Sequence, residues 1–385
     1  IQALAEAGAD IIVDDIGYFT MPMFQEGPIA QSVNEVKEKG VTYFSAAGNN
    51  GRLSYENSFV SGFDFISLDK AHDFGKAAGG ASDFHQLIKL PADEENWISL
   101  QWDDPAEIVG GRGAETDLDV FLLDASNNEI IASSQDDNIG HNPIEFISVN
   151  HSLATEDFYL YISHRAGPAP SRIKYIINSS NLASIELYST DSSTIFGHPN
   201  ASGAIAVGAI SYDQTPWFGV PINQALIEPF SSAGGTPIIF DANGIRLKQI
   251  DIPFKPEIVA PDASDTTFFG TDTDIDSNEL PNFSGTSAAA PHAAALAALL
   301  KEQYPHLTPD GINRSLTLGS VDLKDPNNIV ETPPVNTTCG INTVFDWATG
   351  CGLVQADLVF EQIGKISDEV YLVLETSTAG IAAGV

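Results

Sequence analysis

A turn of small residues that leads into a helix contains the serine best placed to act as a nucleophile. The run is Phe283-Ser284-Gly285-Thr286-Ser287-Ala288-Ala289-Ala290-Pro291-His292. Gly285 allows the backbone to turn tightly. Ser287 is predicted at or near the helix N-terminus, where free N–H groups and the positive end of the helix dipole stabilise a developing negative charge. The arrangement suits a nucleophilic serine with an oxyanion pocket, although a capped and buried helix would use the same residues.

The first fifty residues predict a sheet edge at which a ligand could bind. Residues 9–13 and 41–47 are mainly apolar and predict two buried strands, joined by a helix that begins at Pro28 and ends at Gly40. Such a crossover gives a right-handed parallel unit, and parallel sheets bind ligands beyond the carboxyl ends of their strands. Those ends carry Asp14-Asp15-Ile16-Gly17 and Ala46-Ala47-Gly48-Asn49-Asn50-Gly51.

The pattern of apolar residues changes between about residues 62 and 182. Ile98, Leu100 and Trp102 alternate along one predicted strand, and residues 158–162 alternate in the same way. Period-two strands with frequent turn residues predict an antiparallel β-sandwich. The helix and strand pattern then resumes, with strands near 204–210 and 255–261 and helices near 287–304 and 355–363.

Six segments, in order along the chain, resemble the landmarks of the subtilisin-like serine proteases, the subtilases. Residues 285–292 resemble the nucleophile motif of that family, and residues 46–51 resemble its oxyanion-hole segment. The other four are Gly203-Ala204-Ile205-Ala206-Val207-Gly208-Ala209, Phe230-Ser231-Ser232-Ala233-Gly234, Lys255-Pro256-Glu257-Ile258-Val259-Ala260-Pro261 and Gly350-Cys351-Gly352-Leu353-Val354-Gln355-Ala356. The resemblance covers roughly residues 1–60 and 185–365, and a more distant similarity links the chain to the sedolisins.

The resemblance implies an α/β fold in which a subtilisin-like parallel sheet, flanked by helices, is interrupted by an inserted antiparallel β-sandwich. We expect the first part of the core at 1–61, the inserted β-sandwich domain at 62–182 and the second part of the core, with the nucleophile helix, at 183–366. Residues 367–385 form a C-terminal tail that we leave unassigned.

The resemblance also implies roles for individual residues. Ser287 would be the acylating nucleophile, and Asn49 would donate its side-chain amide to the oxyanion together with the backbone N–H of Ser287. An amide suits this role because it donates a hydrogen bond without titrating. The alternative is that Asn49 is a loop asparagine that stabilises its own turn. The expected substrate-binding residues are Asp15, Ile16, Gly17, Ala47 and Gly48.

Asp15 departs from the family pattern, because the matching position in subtilases is a small serine. A carboxylate there could attract a basic side chain of the substrate, or neighbouring donors could hold it in a structural role. It could also correspond to the carboxylates that sedolisins use in place of histidine. Asn49 favours the subtilase interpretation, since sedolisins have an aspartate in the oxyanion hole.

The aspartate and histidine of a subtilase triad lie N-terminal to the oxyanion segment, and this chain begins after that point. His292 matches a structural histidine of the family. We assign no histidine as general base, because a base must reach the serine oxygen within hydrogen-bond distance; the others are His72, His85, His141, His151, His164, His198 and His306. We therefore expect the chain to be a piece of a longer protein and nearly inert as a protease by itself.

Composition excludes several classes of protein. The chain has 385 residues, 17 Lys and Arg against 52 Asp and Glu, and a formal charge of −35. This charge argues against duplex nucleic acid and anionic membranes as partners. No apolar run is long enough to span a membrane. We expect an extracellular or cell-surface location.

No cofactor is expected, although a structural calcium ion is an open alternative. Asp272, Asp274 and Asp276 imitate the start of a calcium loop, but Ser277 replaces the required glycine and Phe283 the final acidic ligand. The two cysteines, Cys339 and Cys351, are too few for a disulfide framework. They could form one disulfide or remain as buried thiols.

The sequence therefore predicts a serine endopeptidase that hydrolyses polypeptides through an acyl-enzyme on Ser287. One alternative is a non-catalytic module that uses the subtilase fold for binding or adhesion. The other is a sedolisin-type serine-carboxyl protease with optimum activity in acid. The sequence does not predict the oligomeric state.

Overall fold

The computed structural model describes residues 1–64, 67, 69–153, 156–180, 182–273, 275–325, 339 and 344–363. The tail expected at 367–385 lies outside these residues. The helices are α1 (Gln2–Glu6), α2 (Pro28–Glu38), α3 (Phe74–Ala77), α4 (Thr286–Gln303) and α5 (Pro309–Leu318), and residues 356–363 are also helical.

The strands fall before and after residue 200. The first group is β1 (Ile11–Asp14), β2 (Thr42–Ala46), β3 (Ser54–Ser58), β4 (Ser61–Asp64), β5 (Asp69–His72), β6 (Gln86–Lys89), β7 (Asn96–Trp102), β8 (Asp117–Asp124), β9 (Ile130–Ser134), β10 (Ile144–Val149), β11 (Asp157–Ala166), β12 (Arg172–Asn178) and β13 (Ser184–Ile185). The second group is β14 (Ala204–Ser211), β15 (Ile238–Phe240), β16 (Arg246–Asp251), β17 (Ile258–Asp262), β18 (Ser264–Asp265), β19 (Asn282–Phe283), β20 (Ser320–Val321) and β21 (Leu353–Val354).

A mainly parallel sheet forms the centre of the α/β part. Its strand order is β1-β2-β14-β17-β21-β20, and only the β20–β21 pair is antiparallel. The predicted helix between the first two strands is present as α2, which begins at Pro28 and is followed by Gly40 with a φ of +90°. The expectation of an α/β fold with a parallel sheet and helices is confirmed.

Helix α4 packs against this sheet through small side chains. Ala289, Ala290, Ala293 and Ala297 are fully buried in the cluster that α4 shares with β2, β14 and β17. Because alanine has only a methyl group, the helix backbone lies close to the strands. The residues at the N-terminus of α4 are thereby held near the carboxyl ends of the parallel strands, where the sequence predicted the site.

Two antiparallel sheets make up the β-rich part. One has the order β10-β7-β12-β3, and the other contains β13, β6, β11, β5, β4, β8 and β9. The predicted alternation is present in β7, since Ile98, Leu100 and Trp102 belong to one hydrophobic cluster and the intervening residues do not. Side chains from both sheets form one hydrophobic cluster. We call this part of the chain, from β3 to β13, the antiparallel region.

A strand at each end of the antiparallel region pairs with a strand inside it. Strand β3 pairs with β12, with Ser54 opposite Ile176, and β13 pairs with β6. Strand β3 was not predicted, because Ser54-Tyr55-Glu56-Asn57-Ser58 contains one apolar residue and no period-two pattern. The β3–β12 pairing places the two ends of the region side by side.

Candidate active site

The turn before α4 has a backbone conformation that requires glycine. Gly285 has a φ of +104° and a ψ of 168°, a region that other residues occupy only with strain. Its N–H donates to Oδ2 of Asp262 at 2.7 Å. A Cβ atom at Gly285 would lie 3.0 Å from Nδ2 of Asn49, so glycine also lets the turn approach the asparagine closely.

Two hydrogen bonds orient the side chain of Asn49. Its Oδ1 accepts from the backbone N–H of Thr286 at 3.0 Å and from the hydroxyl of Thr286 at 2.9 Å. The same hydroxyl oxygen accepts the N–H of Gly48 at 3.1 Å. Because these two donors occupy the amide oxygen, Nδ2 is the group of this side chain that remains to donate to another acceptor.

Ser287 and Asn49 line one cleft with a volume of about 150 Å³. Ser287 is half-buried as the second residue of α4, and Asn49 is exposed. Asp15, Ile16, Gly17, Ala47 and Gly48 line the same cleft. The structure therefore brings all the predicted site residues together, while their roles remain predictions.

His198, which lines the cleft, forms a hydrogen bond with Asp14 that the sequence did not predict. Nε2 of His198 lies 3.1 Å from Oδ1 of Asp14, and His198 is buried beside the edge of the Tyr18 ring. Asp14 further accepts hydrogen bonds from the hydroxyls of Tyr43 and Ser45. Burial opposes ionisation of Asp14, but the His198 interaction and the two hydroxyl groups outweigh it and hold its pKa below the usual value.

This pair does not make His198 a general base for Ser287. Its Nε2 is occupied by Asp14, and in the described part of the chain no histidine forms a hydrogen bond with Ser287. The other histidine near the site, His292, is held within α4, where its Nδ1 donates to the carbonyl oxygen of Ala288 at 2.9 Å. This contact is consistent with the structural role that the family resemblance implies for His292.

A buried acidic residue lies directly under the nucleophile turn. Asp262 is fully buried at the end of β17, and burial raises its pKa to about 6 although the N–H of Gly285 opposes the shift. Its Oδ1 has no hydrogen-bond partner within the described residues. Burial and the nearby Asp262 raise the pKa of Glu228 to about 7. The sequence predicted a strand at residues 255–261, but no pattern in it indicated that the next residue, Asp262, would bind the turn before α4.

Asp15 is exposed at the cleft. Among the described residues that line the cleft, none is a lysine or an arginine. A positively charged side chain entering here would meet the carboxylate of Asp15 without competition from a cation of the cleft wall.

The residues considered for metal binding lie elsewhere. Asp274 is outside the described residues, and Asp276 accepts hydrogen bonds from the hydroxyl of Tyr212 at 2.5 Å and from the N–H of Asn278 at 2.9 Å. Across the described ranges, no group of three or more His, Cys, Asp or Glu side chains could hold a metal ion. Cys339 and Cys351 form a disulfide.

Comparison with known proteins supports the resemblance. A sequence model described as "Subtilase family" matches residues 175–330. The chain is 28% identical over 176 residues to "Subtilisin-like protease SBT2.1" of Arabidopsis thaliana, and this match covers 44% of this chain and 20% of that protein. It is 42% identical over 67 residues to "Subtilisin-like protease SBT2.3" of the same plant, covering 16% and 8%. The matched regions thus span a fifth or less of these relatives.

Two solved structures are also similar. One is described as "Structure of the Clostridium Perfringens CspB protease", with a TM-score of 0.49, 14% identity and coverage of 94% of this chain and 67% of that chain. The other, "S41 Psychrophilic Protease", has a TM-score of 0.25, 28% identity and coverage of 42% and 43%. No helix in the described ranges combines the length and the apolar character needed to cross a membrane.

Proposed function

From the resemblance of this chain to the subtilases, which the family match of residues 175–330 confirms, we propose that it provides the nucleophile and oxyanion hole of a serine endopeptidase. The observation that carries the proposal is the pairing of Ser287 with an oriented Asn49 amide in one cleft. A nucleophile next to a fixed, uncharged donor is the arrangement that acyl transfer needs.

In the proposed reaction, Oγ of Ser287 attacks the carbonyl carbon of a peptide bond while a base removes its proton. The negative charge that forms on the carbonyl oxygen accepts hydrogen bonds from Nδ2 of Asn49 and from the N–H of Ser287. The C–N bond then breaks, and the departing amine takes the proton from the base. Water hydrolyses the acyl-enzyme by the same steps and releases the acid.

The base and the aspartate that orients it are proposed to lie upstream of this chain. Two findings support this: the described histidines form no hydrogen bond with Ser287, and β1 is the terminal strand of the parallel sheet, so it can accept a further strand. The chain alone would then be nearly inactive.

The proposed substrate is a polypeptide, with Asp15 favouring a basic side chain. We further propose that the antiparallel region forms an inserted β-sandwich between two parts of a subtilisin-like core. Its shared hydrophobic cluster supports this interpretation. An extracellular or cell-surface location is proposed as well, since disulfides such as Cys339–Cys351 persist in oxidising surroundings.

A fluorophosphonate probe tests the nucleophile in the longer protein that the proposal requires. We expect labelling of the parent and of Ser284→Ala, whose exposed serine lies three positions earlier, and no labelling of Ser287→Ala. Labelling that persists in Ser287→Ala would exclude Ser287 as the nucleophile. An unlabelled parent would favour the non-catalytic binding module, and activity confined to acid would favour the sedolisin-type mechanism.

A further inference from the structure

One side of the cleft is built on the antiparallel region. In β7, the side chains of Ile98, Leu100 and Trp102 lie in the hydrophobic cluster of the antiparallel region. Because side chains alternate along a strand, Trp97, Ser99 and Gln101 face the opposite way. Their neighbours on that side are residues 18–23, which follow Asp15, Ile16 and Gly17 in the chain; we call these residues the cleft loop.

Three hydrogen bonds attach the cleft loop to β7. Oγ of Ser99 donates to the carbonyl of Phe19 at 2.7 Å. Nε2 of Gln101 donates to the carbonyl of Met21 at 2.8 Å, and its Oε1 accepts the N–H of Met23 at 2.8 Å. Ser99 and Gln101 are both buried. Hydrogen bonds shielded from water hold their partners in place, because breaking one leaves a buried polar group unsatisfied.

Ring contacts continue the attachment up to the cleft. The ring of Phe19 lies 5.3 Å from that of Trp97 and 6.4 Å from that of Phe196. Phe19 and Phe196 both line the cleft. The position of this apolar wall is therefore set by the antiparallel region as well as by the α/β part.

Strand β12 also adds a polar group to the wall. Asn178, its last residue, stands opposite Trp97 in the pairing of β12 with β7 and lines the cleft that contains Ser287 and Asn49. Its side chain is half-buried. A carboxamide can donate to a carbonyl and accept from an N–H, so it matches the main chain of an extended polypeptide.

We propose that the antiparallel region is part of the polypeptide-binding site, with Asn178 binding the main chain of the ligand and Ser99 and Gln101 positioning the cleft loop. The proposal rests on the proposed function only in taking a polypeptide as the ligand. It requires no turnover.

The test measures binding without catalysis, in Ser287→Ala protein with fluorescein-labelled, unfolded α-casein as the probe. We expect Asn178→Ala to weaken binding by about five- to tenfold, the loss of about one hydrogen bond. Gln101→Met should weaken binding to a similar extent and speed hydrogen exchange at the N–H of Met23. Gln86→Met is the matched control, because Gln86 is a fully buried glutamine of the other antiparallel sheet that bonds to Tyr175 and Leu187.

The outcomes separate this proposal from the proposed function. Binding within twofold of the parent in both Asn178→Ala and Gln101→Met would overturn it, as would equal weakening in Gln86→Met, which would indicate a general loss of stability. Absence of casein binding by the parent would also overturn it. Fluorophosphonate labelling of Ser287 reports independently on catalysis.

Discussion

The hydroxyl of Thr286 links the segment that carries Asn49 to the turn that carries Ser287, across 237 residues of chain. Replacing Thr286 by valine removes this hydroxyl and keeps the shape of a fully buried side chain. The change deletes the hydrogen bond to Oδ1 of Asn49 and the one accepted from the N–H of Gly48.

The expected cost follows from these two contacts. A lost hydrogen bond costs about 1 kcal/mol, and a partly buried N–H left without an acceptor costs about 1–2 kcal/mol more. Thr286→Val should therefore lower the free energy of unfolding by about 2–3 kcal/mol. Oδ1 of Asn49 keeps the backbone N–H of Thr286 as a donor, so the fold itself should survive.

Urea unfolding followed by circular dichroism measures this difference. Thr286→Ser is the control, because it keeps the hydroxyl and loses one methyl group, worth about 1 kcal/mol. A loss below about 0.5 kcal/mol in Thr286→Val would show that the hydroxyl does not link the two segments. A loss in Thr286→Ser as large as the loss in Thr286→Val would show that the site responds to any change of the side chain, and the effect could not then be assigned to the hydroxyl.

Three further changes test other parts of the site and fold. In the longer protein that the proposed function requires, Asn49→Ala should lower turnover by about 10²–10³, the magnitude known for the oxyanion asparagine of subtilisin itself, with little change in KM in steady-state assays. Asp15→Asn should weaken cleavage after basic residues and spare other peptides in a substrate panel. Burial raises the pKa of Glu145 to about 7 from 4.5, so the folded state retains a proton that the unfolded state releases, and stability falls as pH rises from about 4.5 to 7. Glu145→Gln should remove this fall, a relative gain of about 3 kcal/mol by pH 8 in urea unfolding.

Each of these expectations has a result that contradicts it. A large rise in KM with unchanged turnover in Asn49→Ala would refute the oxyanion role. Equal loss on all peptides in Asp15→Asn would refute charge selection. For Glu145, the matched control is Glu129→Gln, an exposed glutamate in the turn before β9; parallel pH profiles for both variants and the parent would show that Glu145 ionises normally in the folded protein.

Local sequence patterns predicted the helices and strands, but they did not predict contacts between residues far apart in the chain. The alanines of α4 and the alternation in β7 are visible in short windows, because each reflects the face that one element buries. The hydrogen bond between Asp14 and His198 joins residues 184 positions apart, and no local pattern indicates such a contact. The orientation of the Asn49 amide likewise depends on Thr286, so the sequence indicated the group but not the direction in which it points.

The pairing of β3 with β12 has a consequence for the order in which the chain folds. Contacts between residues far apart in sequence form slowly, because closing a long loop costs entropy. Once the antiparallel region has folded, the pairing of β3 with β12 holds its two ends side by side. The flexible chain that still has to close between residues 49 and 286 is then much shorter. We therefore expect Asn49 and Ser287 to come together only after the antiparallel region has folded.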